Sequence, residues 1–349
     1  MEKNINSNKV NYLSLASVIS AFAVVMLHTN GCFWTFSKER YWITANVIES
    51  VMYFAVPVFF MISGATLIDY RERYTTKQFV VKRLKKTLIP FIAWSVIGVV
   101  YMVATDYWGM EWTLEWFNSV WLRIININVI SIYWFFGALF SVYLCIPVLS
   151  AISKELRNKV FIYIIVAVFV IDSLAPFLCR VFSIEYASKV TIPVGGGYII
   201  YVLLGYILSK VSLSLKQYIM VYGMAIAGLI MHIVGTYCLS YNAGYIVQTF
   251  KGYLNVPCIL YSVGVFVLFK QLGEKIKNQR VIDLIDWVSQ YTFAVYLLHW
   301  FVMNVIVRKF YVDIRSMWYR LGAPIIIFAI CIMITWIVRR IPILKKILP

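Results

Sequence analysis

Five ionisable side chains fall inside the apolar runs of this 349-residue chain: His28, Glu49, Asp172, His232 and His299. A charge in hydrocarbon costs about 3 kcal/mol or more, so each of the five needs a reason to be there. Histidine exchanges protons near neutral pH and is the usual general acid or base. His28 stands near the end of the first run, and Glu49 stands about a turn and a half into the second from the same side. A short loop joins these runs, which predicts antiparallel neighbours with the imidazole and the carboxylate at similar depth. A carboxylate there would fix the imidazole's tautomer and stabilise its cationic form, the orienting role of the acid in hydrolytic triads. The alternative is a buried His and a buried Glu that only join two helices. His299, in Tyr296-Leu-Leu-His299, either meets His28 in a shared cavity or packs one helix on another. Asp172, beside Ser173, is either a second carboxylate for that cavity or a packing group. His232 has no polar company within a turn and reads as structural.

The elements that must position these groups are written in the composition. The chain is 62% hydrophobic and 13% charged, with a mean hydropathy of +0.80. A soluble domain is about 45–50% apolar and about 25% charged. That contrast excludes a soluble enzyme and a disordered protein, and it predicts an all-α polytopic membrane protein. Ten apolar runs stand at about 12–30, 44–68, 88–105, 131–152, 159–178, 196–212, 217–239, 252–271, 286–308 and 320–338. No remaining gap holds a separate soluble domain, so residues 1–349 read as one domain in the cell membrane. The first run is followed by His28-Thr-Asn-Gly-Cys-Phe-Trp34, with no small-residue cleavage pattern, and reads as retained. The six cysteines form no C-x-x-C pair and no zinc spacing with histidine, so neither a disulfide framework nor a metal is expected.

The formal net charge is +17. With the N-terminus inside and alternating crossings, 22 Lys and Arg fall on the inner side and 10 on the outer. This bias predicts both termini in the cytoplasm, and it assigns the basic residues to anionic lipid rather than to nucleic acid. Residues 69–90 are the most charged stretch. Thr75 or Thr76 is placed to cap a helix carrying Lys82, Arg83, Lys85 and Lys86. Arg83 and Lys86 are three apart and would share a face able to grip phosphate groups. The simpler role for the stretch is an anchor in lipid headgroups. The outer loops are aromatic, with Phe33, Trp34, Phe36, Tyr41 and Trp42 in one and Tyr107, Trp108, Trp112, Trp116, Phe117 and Trp121 in another. They read as an interfacial belt or as a platform on which sugar rings stack, and 107–121 could lie as an amphipathic helix on the outer surface. A phosphate-rich donor on the inner basic stretch, with an arm spanning the ~16 Å of helix from Ser17 to His28, would meet an acceptor arriving from outside.

Several segments resemble the acyltransferase-3 family of integral-membrane acyltransferases, and more distantly the membrane part of certain racemases linked to vancomycin resistance. They are Ala23-Val-Val-Met-Leu-His28, Val56-Pro-Val-Phe-Phe-Met-Ile-Ser-Gly64, Phe79-Val-Val-Lys-Arg-Leu-Lys-Lys-Thr-Leu-Ile-Pro90, Tyr133-Trp-Phe-Phe136 with Tyr143 and Pro147, Gly205-Tyr206, and Tyr296-Leu-Leu-His299. The resemblance covers nearly the whole chain. It implies about ten transmembrane helices, acetyl-CoA or another acyl-CoA as donor substrate, no tightly bound cofactor, and a histidine base that falls on His28. It also implies that the basic pair Arg83 and Lys86 meets the donor's phosphates; Lys82 is placed beside them as a further candidate. The family's first-helix arginine, ten residues before the histidine, falls on Ser17, and a nearby acidic position falls on Ser14, so this motif is broken here. The expected activity is transfer of an acyl group, acetyl first among the choices, to a hydroxyl of an extracytoplasmic glycan or envelope acceptor. His28 would be the base, with Glu49 or His299 as partner. A transporter would instead show broken helices and internal repeats, and a non-catalytic relative would tolerate replacement of His28.

Overall fold

The structure is a computed structural model that describes residues 7–186, 197–342 and 344–349, with side chains from Tyr12 onward. Lys3 and Lys189 of the charge reading lie outside the described residues, as does the side chain of Lys9. Among the described residues the chain is 79% helical without strands. Nine helical stretches are long and apolar enough to cross a membrane, and a shorter apolar helix spans Ile199–Lys210. The chain is a multi-pass integral membrane protein, and each of the ten apolar runs is occupied by a helix.

In chain order the helices are α1 (Ser7–Thr29), α2 (Arg40–Met52), α3 (Ala55–Leu67), α4 (Thr76–Arg83), α5 (Ile89–Ala104), α6 (Leu114–Ile125), α7 (Trp134–Leu149) and α8 (Lys154–Val168). They continue as α9 (Ala175–Val181), α10 (Ile199–Lys210), α11 (Leu215–Ile230), α12 (Thr236–Ala243), α13 (Val256–Lys275), α14 (Gln279–Ser289), α15 (Thr292–Phe310) and α16 (Met317–Val338). Four of the helical stretches are interrupted. The second breaks at Tyr53–Phe54, just before Pro57 in the first turn of α3, where a missing N–H is tolerated. The turns Phe169–Leu174 and Leu84–Leu88 widen to a π-helical spacing just ahead of Pro176 and Pro90. A proline removes the hydrogen bond that the preceding turn would have received, and the backbone gives at that point. A third widened turn, Met231–Gly235, joins α11 to α12 and carries His232.

The chain divides into two compact units, Met1–Ile68 with Ile152–Ile332, and Asp69–Ala151 with Met333–Pro349. In the first, α1 packs against α3, α13, α14 and α15, and α10 lies along α3. Lipid tails give helices no hydrophobic reason to associate, so close backbone approach through small residues has to supply the packing. Gly64 of α3 and Gly205 of α10 do this reciprocally. A methyl on Gly64 would overlap the Val202 carbonyl, and one on Gly205 would overlap the Met61 carbonyl. In the second unit Tyr70 stacks on Phe79 at 4.4 Å, and its hydroxyl is 2.8 Å from that of Thr76. Trp94 Nε1 donates to the Ile347 carbonyl at 2.9 Å and ties down the C-terminal segment. The amphipathic segment forms α6, capped by Thr113, with Leu114, Trp121, Leu122 and Ile125 exposed.

The α3–α10 contact makes a prediction. Gly64→Ala and Gly205→Ala are each expected to destabilise the chain by about 1–3 kcal/mol or more, since backbone stands in the way and cannot yield. Gly223→Ala, on α11 with nothing within 4 Å of the added carbon, is expected to be neutral or stabilising by up to about 1 kcal/mol. Thermal unfolding in detergent compares the three.

Candidate active site

Two histidines from distant parts of the chain meet in the first unit. His28 closes α1 and His299 lies in the middle of α15; their ring centroids are 5.0 Å apart, with the planes tilted by 41°. His299 is fully buried. Its Nδ1 lies 3.0 Å from the carbonyl of Val295, one turn back. A carbonyl can only accept, so Nδ1 carries the hydrogen and the neutral ring presents a lone pair at Nε2. That Nε2 has no hydrogen-bond partner. His28 is only half-buried. One histidine is therefore held in a defined tautomer beside a second that retains access. The structure brings His299 against His28.

Glu49 keeps different company. It lies on α2, 2% exposed, and its Oε2 accepts from Asn30 Nδ2 at 3.4 Å. The same Asn30 amide donates to the Ala45 carbonyl at 2.9 Å. The charge that acts on Glu49 is Lys251, a residue of the connection between α12 and α13. Lys251 is also only 2% exposed. Its ammonium sits 4.4 Å from the ring of Phe33 and 4.7 Å from that of Tyr53, and it has no hydrogen-bond partner. Burial pulls the Lys251 ammonium below the usual lysine range, and the Glu49 charge opposes that fall. Asn30 follows His28 by two residues in the chain.

Arg320, near the start of α16, supports this arrangement from behind. It is 1% exposed. Its Nη1 donates to Asn30 Oδ1 at 3.5 Å and to the Tyr41 carbonyl at 3.3 Å, and its Nη2 donates to Thr44 Oγ1 at 3.0 Å. Sequence reasoning counted Lys251 and Arg320 only as outer basic residues and singled out neither. The one available signal was that Lys251 sits in an aromatic stretch, Phe250-Lys251-Gly252-Tyr253. His232, read as structural, is buried with both ring nitrogens unpartnered, and its ring lies 4.9 Å from that of Tyr53. Asp172 stands partly exposed on the widened turn after α8.

In the second unit, Thr75 is the cap of α4. Its side chain accepts from the Gln78 N–H while Gln78 reaches back to the Thr75 N–H, a reciprocal capping box. Of the basic residues that follow, Lys82, Lys85 and Lys86 are exposed and Arg83 is half-buried. The Arg83 guanidinium lies 5.7 Å from the Phe79 ring and 5.6 Å from the Tyr143 ring, and its Nε is buried without a partner. Lys82 lies 3.8 Å over the Tyr74 ring. The widened turn at Leu84–Leu88 begins between Arg83 and Lys86, which swings Lys86 off the strict α-helical register expected from their spacing. Ser17, at the broken first-helix motif, is 3.0 Å from the hydroxyl of Thr292 at the start of α15. Among the described residues, no group of three or more His, Cys, Asp or Glu is arranged to hold a metal.

Against this geometry, the family model described as an acyltransferase domain, acyltransferase-3, matches residues 10–339, nearly the whole chain. No curated protein and no solved structure matches the chain.

The Arg320 clamp carries a prediction. Arg320→Met would leave the Tyr41 carbonyl and Asn30 Oδ1 without their donor, and is expected to cost at least about 2 kcal/mol of stability. Arg315→Met, at an exposed neighbour, is expected to stay within about 0.5 kcal/mol of the parent. Thermal unfolding in one detergent measures both.

Proposed function

The chain belongs to the acyltransferase-3 family of membrane acyltransferases, and from that premise we propose that it moves an acyl group, acetyl foremost, from acyl-CoA on the cytoplasmic side to a hydroxyl of an extracytoplasmic glycan or envelope acceptor. The observation that carries this reading is the His28–His299 pair. His28 is the general base: it takes the proton as the acceptor oxygen attacks the thioester carbonyl. The carbon–sulfur bond then breaks, and the CoA thiolate leaves and is protonated. His299 is the orienting partner. Its Nε2 lone pair is unclaimed and its ring lies 5.0 Å from that of His28; accepting the His28 N–H there would leave the other His28 nitrogen to work as the base.

The donor end is assigned to the basic stretch around α4. Arg83 offers donor groups suited to a phosphate, with its Nε unclaimed, and the exposed Lys82 and Lys86 add positive charge nearby. Ser17 brings no cation to the position where the family carries its arginine. Its bond to Thr292 joins α1 to α15, the two helices that carry His28 and His299. Cationic binding of the donor is therefore left to Arg83, Lys86 and Lys82.

The test is acetyl-CoA binding by calorimetry to the full chain in nanodiscs, together with transfer of labelled acetyl groups. The Arg83→Ala/Lys86→Ala double variant is expected to bind acetyl-CoA at least about tenfold more weakly, the equivalent of about one charge-assisted hydrogen bond. His28→Ala is expected to keep the wild-type affinity and lose about 10²–10⁴-fold in transfer, the span of general base catalysis. Absence of acetyl-CoA binding by the folded wild-type chain would overturn the reading.

A further inference from the structure

Glu49 and Lys251 present an unusual buried pair. Both are 2% exposed and each acts electrostatically on the other. Yet Lys251 Nζ has no hydrogen-bond partner, so no direct hydrogen bond joins the two charges. An ammonium has three donors to satisfy, and leaving them unmet in a dry interior is costly. The shortage extends around the pair. Ser50 Oγ and Asn46 Oδ1, a turn apart on the same face of α2, have no partners, and neither do both ring nitrogens of His232 and Thr236 Oγ1, a turn apart on the opposing helix. All four residues are at most 2% exposed. Asn46 Nδ2 donates to the Ile233 carbonyl at 2.9 Å, which brings the two faces together. Packed helix interfaces do not leave this many adjacent donors and acceptors open unless something with oxygen atoms fills the space between them.

We propose that the space between Glu49 and Lys251 is the acceptor subsite of the acyl-transfer reaction, built for a neutral polyhydroxylated ligand one of whose hydroxyls bridges the ammonium and the carboxylate. The bridging oxygen accepts from Lys251 Nζ and its hydrogen goes to Glu49, whose Oε2 is held in place by Asn30. The ligand is neutral because the two charges already cancel, and an added anion would be buried uncompensated. It is polyhydroxylated because the surrounding groups are a mixture of donors and acceptors, set at the spacing of a helical turn. Asn30, which holds Glu49, follows His28 by two residues at the end of the first helix, which puts the subsite and the base on the same end of α1. The inference rests on the acyl-transfer reading above.

The experiment uses the full chain in nanodiscs, radiolabelled acetyl-CoA, and the parent cell's envelope polysaccharide stripped of its esters by mild alkali. Lys251→Met is expected to raise the KM for the polysaccharide tenfold or more while kcat falls by less. The Glu49→Gln/Lys251→Met double variant, which buries no lone charge, repeats the measurement if the single variant unfolds. Among small competitors, methyl glucoside is expected to inhibit the wild type more strongly than methyl glucuronide, and Glu49→Gln, whose site carries a net positive charge, is expected to reverse that order. A wild-type KM in both Lys251 variants would overturn the subsite and leave a bridging water in the gap. Preference of the wild type for the glucuronide would also overturn it. Absence of transfer by the wild type would instead overturn the acyl-transfer reading, and the subsite with it.

Discussion

A guanidinium cannot be buried at the end of a helix bundle without acceptors, and Arg320 draws them from two separate parts of the chain. It takes the side chain of Asn30 just past α1, together with the Tyr41 carbonyl and the Thr44 hydroxyl in the first turns of α2. The start of α16 is thereby fixed to the junction of α1 and α2, which is where the candidate chemistry lies. Asn30 is held from both sides: it accepts from Arg320 and donates to Glu49 and to the Ala45 carbonyl. The position of the Glu49 carboxylate follows from that chain of bonds, and the partner left to it is Lys251. Because Asn30, Glu49, Lys251 and Arg320 are all buried, no solvent is available to replace a lost partner among them.

The same region shows what a membrane chain writes into its sequence and what it does not. The ten apolar runs were legible because the bilayer demands about 20 apolar residues per crossing. The cap at Thr75 was legible because a reciprocal capping box is local chemistry. His28 and His299 could be nominated as candidates because an ionisable group in hydrocarbon stands out by residue type alone. The partner of Glu49 could not be read in the same way. Lys251 lies in a connection between helices, where a basic residue looks ordinary, and its burial follows from how α2, α12 and that connection pack. The breaks in the runs were also hidden, since Pro57, Pro90 and Pro176 sit in segments whose hydropathy continues through them. Those breaks bear on the site. The widened turn before Pro90 changes the register between Arg83 and Lys86, and the one between α11 and α12 carries His232.

The histidine pair and the charge pair answer the same constraint in different ways. His299 meets it by staying neutral: a backbone carbonyl fixes its hydrogen on Nδ1, and no counter-ion is needed in the bundle. Glu49 and Lys251 meet it by opposing one another. The hydrogen bond that fixes Glu49 runs to Asn30.

The buried and half-buried cations of this chain can be sorted by whether their donors are satisfied. Arg157 turns both Nε and Nη2 to the Ile152 carbonyl. Lys270 gives its ammonium to the carbonyls of Leu208 and Val211 at the end of α10. These residues close helix ends, where carbonyls are left over by the geometry of the helix itself, and their work is structural. Lys251, whose ammonium has no hydrogen-bond partner, and Arg83 and Arg320, each with an unpartnered Nε, do not fit that pattern. Lys251 stands against the rings of Phe33 and Tyr53, and Arg83 against those of Phe79 and Tyr143, with the Tyr143 hydroxyl also hydrogen-bonded to it. A cation kept dry, attracted and still short of acceptors is suited to a ligand that arrives with oxygen atoms: phosphate for the guanidinium beside Phe79 and Tyr143, and a hydroxyl for the ammonium between Phe33 and Tyr53.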